Sequence, residues 1–395
     1  MHIFFHYHCH QERGVSVHNL RTSSFTIIAC VGGHIQPVMY ILQQLNLSLP
    51  MVLLILLANL PINISLAMTS RHMKSCQSPL LSNPSTRETP IIPDKIIVGY
   101  ANWNQCDESI IKAVEEGVNV IIWFAINLAE GPTITNGPNI DCVSLIAQKL
   151  KEKGLDVIHL ISIGGWNSPH PSTENSAEKV FDNWHIWNTK DVARPERGWF
   201  GFDGFDWDIE GNDDPDSEYN SFKPECLDLM GKFSQLAKKA GYVVAMAPAE
   251  SYLDPTTSDF SLSLRHTYPE WVGMNPTNNF SYHGRNTYAY ILAKYNETCI
   301  ERARTIEKDG EIDENFDQEG ECRGEEALIS RIPTFDFVTI QLYEGYSHAM
   351  YKLGIMGVHP SDYLNDLVEK FENGWMVNFS SQPEVKTEVT IVSVQ

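Results

Sequence analysis

The run Phe202-Asp203-Gly204-Phe205-Asp206-Trp207-Asp208-Ile209-Glu210 sets three carboxylates, Asp206, Asp208 and Glu210, at every second position of an apolar and aromatic segment. Alternate side chains of a β-strand share a face, so the acids point one way and Phe205, Trp207 and Ile209 the other. Like charges at that spacing force pKa values apart. One carboxyl held protonated beside one held ionised is what acid-assisted cleavage of a glycosidic bond requires. A solvated edge strand is the bland alternative, and the aromatic alternation argues against it.

Buried acids need a scaffold, and the flanking sequence supplies alternating strands and helices. Ile96–Tyr100, Val118–Ile126, Val157–Ile163, part of Trp199–Glu210, Tyr242–Ala247 and Phe335–Tyr343 read as six strands. Between them, Ser109–Glu116, the stripe Val143, Ile146, Ala147 and Leu150 stopping at Gly154, and Phe222–Ala237 read as helices. Strands apolar on both faces that alternate with helices imply a covered parallel sheet.

Two parallel architectures compete. An open dinucleotide-binding sheet calls for a GxGxxG turn after its first strand, where this chain has Tyr100-Ala-Asn-Trp103. A closed (β/α)8 TIM barrel puts polar and aromatic residues at the carboxyl ends of several strands. Trp103, Ser162-Ile-Gly-Gly-Trp166, Asp206–Glu210, Met246-Ala-Pro248 and Gln341-Leu-Tyr343 fit that pattern, so the α/β class expected is a (β/α)8 barrel. Residues 258–333 read as an insertion after the fifth strand, at the barrel mouth. The C-terminal end is short or incomplete: Asp362–Phe371 reads as a helix, and Trp375–Phe379 and Glu388–Val394 as strands with no helix between them.

The organisation read along the chain is an upstream segment and signal peptide or signal anchor (1–68), a Ser/Thr/Pro/Asn-rich linker (69–94) and the barrel (95–395). Residues 1–38, with their His/Cys-rich start, read as a segment that does not fold. The apolar stretch 51–68 is a cleaved signal if translation starts at Met39 or Met51, and a membrane anchor if it starts at Met1. Either way the body enters the secretory lumen or is secreted. The first 90 residues hold five basic and two acidic side chains, so the remainder carries −24 of the chain's net −21. Such acidity excludes nucleic acid and anionic lipid and favours a neutral or cationic ligand. No cysteine pair has zinc-site spacing; Cys299 and Cys322 either close a disulfide loop or remain thiols. Asn279, Asn296 and Asn378 begin N-x-S/T sequons. Asp213, Asp214 and Asp216 lack calcium-loop spacing and read as a solvated acidic loop.

Asp203-Gly-Phe-Asp-Trp-Asp-Ile-Glu210 matches DGxDxDxE, and the chain thereby resembles glycoside hydrolase family 18, the chitinases and their relatives. Ser162-Ile-Gly-Gly165 matches that family's SxGG, and Gln341-Leu-Tyr343 is similar to its sixth-strand motif in the plant class III form. The resemblance spans about residues 95–256 and 334–346. It implies Glu210 as general acid, its pKa raised by burial and by Asp208. Asp208 would steer the substrate's 2-acetamido group, which supplies the nucleophile, and Asp206 would share a proton with Asp208. It further implies that Ser162 donates to the buried carboxylate pair, that Tyr343 bonds the acetamido oxygen, and that Gln341 and Glu344 line the same subsite. Glu344 stands where the family more often has Asp or Asn. A Trp from the eighth strand usually floors this subsite, and Trp375 is the candidate.

Trp103 and Trp166 are either stacking platforms for sugar rings or core at strand ends. Met246 either touches substrate or ends its strand. The function implied is retaining, substrate-assisted cleavage of β-1,4 linkages in N-acetylglucosamine polymers, without metal or cofactor, by a monomer. An endo-β-N-acetylglucosaminidase acting on N-glycans and a non-catalytic chitin-binding lectin are the alternatives.

Overall fold

In the computed structural model the described residues are 2–6, 25–27, 90–101, 106–131, 133–264, 285–301, 329–343, 347–380, 382, 385, 388 and 389. Two strands, β1 (His2–His6) and β2 (Phe25–Ile27), lie where the sequence reading expects no folded element. The expected strands follow as β3 (Val98–Ala101), β4 (Val120–Glu130), β6 (Ile158–Gly165), β7 (Gly204–Ile209), β8 (Val243–Met246) and β11 (Phe337–Gln341). A short β5 (Thr133–Asn136) folds back antiparallel on β4. A hairpin, β9 (Glu297–Glu301) with β10 (Ile329–Pro333), stands apart from the main sheet.

The main sheet runs β2-β1-β11-β8-β7-β6-β4-β3, with every pair on that path parallel. Its concave side is filled by Ile96, Val98, Val120, Ile122, Ile158, Leu160, Val243, Ala245 and Phe337. Successive strands curl enough for Tyr100 of β3 to reach Asp206 of β7.

Helices cover the other face. They are α1 (Glu108–Glu115), α2 (Ile140–Glu152), α3 (Ala177–Ile186), α4 (Pro224–Lys239), α5 (Ala289–Tyr295), α6 (His348–Gly354) and α7 (Pro360–Asn373). Side-chain caps fix three starts: Asp107 accepts from the N–H of Ser109, Asn139 from Cys142 and Ser176 from Lys179. Trp184, Phe205, Trp207 and Phe233 interlock edge to face between sheet and helices. A disulfide joins Cys106 to Cys142, 36 residues on, and so ties the start of α1 to α2. Cys299 is also disulfide-bonded, to a partner outside the described residues.

Three expectations need correction. The expected eight-strand barrel is not closed among the described residues: no pairing joins β2 to β3. The C-terminal strands β12 (Trp375–Met376) and β13 (Glu388–Val389) pair with each other, and β1 occupies the place beside β11. Nor is 258–333 only an insertion. It contains α5, six of whose seven residues are buried, lying so close to α4 that a Cβ on Gly231 would meet the Tyr295 ring at 2.1 Å. That helix packs against α4 and the C-terminal strand pair.

Candidate active site

Alternation on β7 sends Phe205, Trp207 and Ile209 into the helix-facing core and the acids to the concave face. Asp206, Asp208 and Glu210 are 0%, 3% and 6% exposed. Glycine lets the neighbouring strand approach them: a Cβ on Gly164 would come 2.5 Å from the Asp208 carbonyl oxygen, and one on Gly165 4.0 Å from Asp208 Oδ2. Both glycines also have φ near +108°, at +109° and +107°, where other residues are strained.

Each of the two deeper acids has a donor from a distant strand. Tyr100 Oη donates to Asp206 Oδ2 at 3.0 Å. Gln341 Nε2 donates to Asp208 Oδ1 at 2.7 Å. Burial, and then the charge of Asp208, push Asp206 well above the usual carboxylate range, against the Tyr100 hydrogen bond. Burial pushes Asp208 to about 7, opposed by hydrogen bonding to Gln341 and to the adjacent Glu210. Burial and the two aspartates likewise raise the Tyr100 phenol. The result is a buried carboxyl stack in which Asp206 and Asp208 are both pushed toward the protonated form.

Where β8 has ended, Tyr288 takes over the edge of β7. Its hydroxyl accepts from the Ile209 N–H at 2.8 Å and donates to the Ile209 carbonyl at 2.9 Å. His170 Nε2 contacts the Glu210 carbonyl oxygen at 2.9 Å, and burial drops its pKa to about 4, so a neutral ring donates there. Beside Glu210, the Trp166 ring lies over Gly211, whose added Cβ would be 3.3 Å away. Asp213 fixes that indole: its Oδ1 accepts from Trp166 Nε1 at 3.0 Å and its Oδ2 from Asn167 Nδ2 at 2.6 Å. Asp213 thus holds the site wall although it is itself exposed, as are Asp214 and Asp216.

The structure brings Asp206, Asp208, Glu210, Gln341 and Trp166 together. Ser162 stands opposite Asp206 in the ladder, but its hydroxyl makes no hydrogen bond among the described residues; Tyr100 serves that acid instead. Met246 is a correction. Alternation on β8 puts Ala245 inward beside Asp206, while Met246 is fully buried in the helix-facing core opposite Trp207. Tyr343 is half-buried just past β11. Trp375 is buried against Phe371, with its indole donating to Asn286, and belongs to the small β12–β13 sheet. Trp103 and Glu344 lie outside the described residues, as do 51–68 and the linker up to 89. Tyr100, His170 and Tyr288 are site residues that the sequence alone does not single out. Tyr100 had a signal, since it shares the inward phase of Ile96 and Val98. The other two arrive from loops with no periodicity to read.

No protein-family model matches the sequence, and no curated protein does. Among solved structures the chain is similar to a chitinase from Rhizomucor miehei, at 17% identity and a TM-score of 0.30 over 44% of this chain and 52% of that one. It is also similar to a chitinase from Chromobacterium violaceum (9%, 0.31, 51% and 53%) and to the Bacillus cereus spore cortex-lytic enzyme (11%, 0.28, 53% and 40%). The chain spans about half the length of the two chitinases.

Among the described residues no His/Cys/Asp/Glu cluster is arranged to hold a metal ion, and no helix is long and apolar enough to cross a membrane.

Proposed function

We propose that this protein is a glycoside hydrolase that cleaves β-1,4 bonds of N-acetylglucosamine polymers with retention of configuration. The observation that carries the reading is the Asp206–Asp208–Glu210 stack, buried on one face with Tyr100 and Gln341 as donors. Glu210, at the carboxyl end of β7, donates its proton to the glycosidic oxygen as the C1–O bond breaks. The substrate's acetamido oxygen attacks C1, and the alcohol product departs. Asp208 accepts a hydrogen bond from the acetamido N–H and offsets the positive charge of the oxazolinium. Glu210, now a carboxylate, removes a proton from the water that attacks C1 from the vacated side, and the acetamido group is released. Trp166 offers its ring as a sugar platform, and Tyr343 bonds the acetamido oxygen. The oxidised cysteines support passage through an oxidising compartment.

The test is to incubate the full chain with chito-oligosaccharides and follow the new reducing end by NMR. An initial β-anomer is expected, with Glu210→Gln slower by about 10²–10⁴-fold. An initial α-anomer overturns the mechanism. Cleavage of a high-mannose glycopeptide alone points to the endo-glycosidase, and binding without turnover to the lectin.

A further inference from the structure

We propose that Asn378 is a modification site that carries an N-linked oligosaccharide, whose first sugar lies over the cleft that Asn378 lines together with Phe260 and Arg285. The sequon Asn378-Phe379-Ser380 follows β12 with strict alternation: Met376 exposed, Val377 buried, Asn378 exposed, Phe379 buried, Ser380 exposed. Phe379 is the anchor. It is 2% exposed, its ring centroid is 4.8 Å from that of Phe260, and it also packs on Tyr290. Burying the middle residue turns the two residues that define an acceptor outward.

The backbone holds that presentation. Asn378 N–H donates to the Ser258 carbonyl at 2.8 Å. Ser380 N–H donates to Asn378 Oδ1 at 3.1 Å, a turn that fixes the carboxamide oxygen on the chain side. Nδ2 makes no hydrogen bond among the described residues, and Asn378 lines a cleft of about 330 Å³ with Asp259, Phe260, Ser261, Arg285 and Ser380. A pyranose has an apolar face for the Phe260 ring and hydroxyls for Asp259 and Arg285.

The Asn296 sequon is arranged differently. Its Thr298 is fully buried, paired with Ile332 in the β9–β10 ladder and hydroxyl-bonded to Thr334 at 2.8 Å. Asn296 is half-buried, and its carbonyl accepts from Thr334 N–H at 2.8 Å. Asn279 lies outside the described residues. The co-reactant is a lipid-pyrophosphate-linked oligosaccharide. Its C1–O bond breaks, a C1–Nδ2 bond forms, Nδ2 loses one proton, and the lipid pyrophosphate departs. The disulfides fit the oxidising lumen where that donor is used.

The full chain is expressed in eukaryotic cells, purified, released with peptide N-glycosidase in heavy-oxygen water and mapped by mass spectrometry. The Asn378 peptide is expected to gain the heavy-oxygen aspartate mass, and the Asn296 peptide to remain asparagine. Asn378→Gln and Ser380→Ala are expected to lose the label and the gel shift that goes with it, while Ser380→Thr keeps both. Retention by Ser380→Thr separates loss of the acceptor from loss of the fold. An unmodified Asn378 in the purified chain, whether recovered from medium or from cells, overturns the proposal. So does occupancy of Asn296 with Asn378 bare.

Discussion

Gln341 Nε2 donates both to Asp208 Oδ1, at 2.7 Å, and to the Ala247 carbonyl, at 2.5 Å. One amide therefore ties the end of β11, the loop after β8 and the middle acid of β7 together. Gln341→Ala removes the donor that holds the Asp208 pKa down, so that pKa rises further above its present value of about 7. A charge-assisted hydrogen bond is worth about 1.5–3 kcal/mol, so kcat/KM is expected to fall roughly 10- to 100-fold. The limb of the pH–rate profile that reports Asp208 moves to higher pH. An unshifted profile in an equally folded variant would contradict this.

Tyr288→Phe tests the other support of the acidic strand. One hydroxyl serves both the N–H and the C=O of Ile209, and both groups are buried. Leaving them unpaired is expected to cost about 1–3 kcal/mol of stability. The Ile209 amide should lose hydrogen-exchange protection while amides in α2 keep theirs.

Glu250 makes stability depend on pH. It is 3% exposed and accepts from Tyr363 Oη and, at 3.0 Å, from the Ala349 N–H. The other groups facing it are His348 and Asp254, paired at 3.2 Å. Burial raises its pKa from 4.5 to about 7. A raised folded-state value means that the stabilising contribution is complete below 4.5 and is lost as pH rises through about 7. Asp208 acts in the same direction, from 3.8 to about 7. Glu250→Gln reproduces the neutral group: its amide oxygen accepts from Ala349 and its nitrogen donates to Tyr363. Unfolding free energies from urea titration are expected to lie within about 1 kcal/mol of wild type at about pH 5 and to exceed it at about pH 8 by on the order of 3 kcal/mol. The same difference from wild type at both pH values would count against it.

Removing the Cys106–Cys142 bond by a double Ser substitution frees a segment whose ends are 36 residues apart. The chain-entropy model puts the loss at about 4 kcal/mol. Thermal unfolding of the double variant should show it, and reduction of the wild type should show at least as much, because Cys299 is also released.

The acidic strand and its five parallel partners were legible because β-periodicity and burial coincide on them. Phe205, Trp207 and Ile209 in one phase and Asp206, Asp208 and Glu210 in the other leave one way to fold the segment. Element α5 was not legible, since Ala289-Tyr-Ile-Leu-Ala-Lys-Tyr295 is buried nearly all round and shows no amphipathic stripe. The Cys106–Cys142 pairing was hidden because spacing alone does not choose partners. Met246 was misplaced by one strand phase, where a single step moves a side chain from the concave face to the helix layer. His170 and Tyr288 reach Glu210 and Ile209 through tertiary folding alone.

The partners of the two deeper acids lie on opposite sides of the acidic strand in the sequence. Tyr100 precedes Asp206 by 106 residues, and Gln341 follows Asp208 by 133. On a chain still being synthesised the acids have one partner behind them and one not yet made. The pocket's proton arrangement therefore cannot exist until translation has passed Gln341 and β11 has docked. Bond-cleaving competence is among the last properties the growing polypeptide acquires, and a chain interrupted before that point carries the acidic strand without its chemistry.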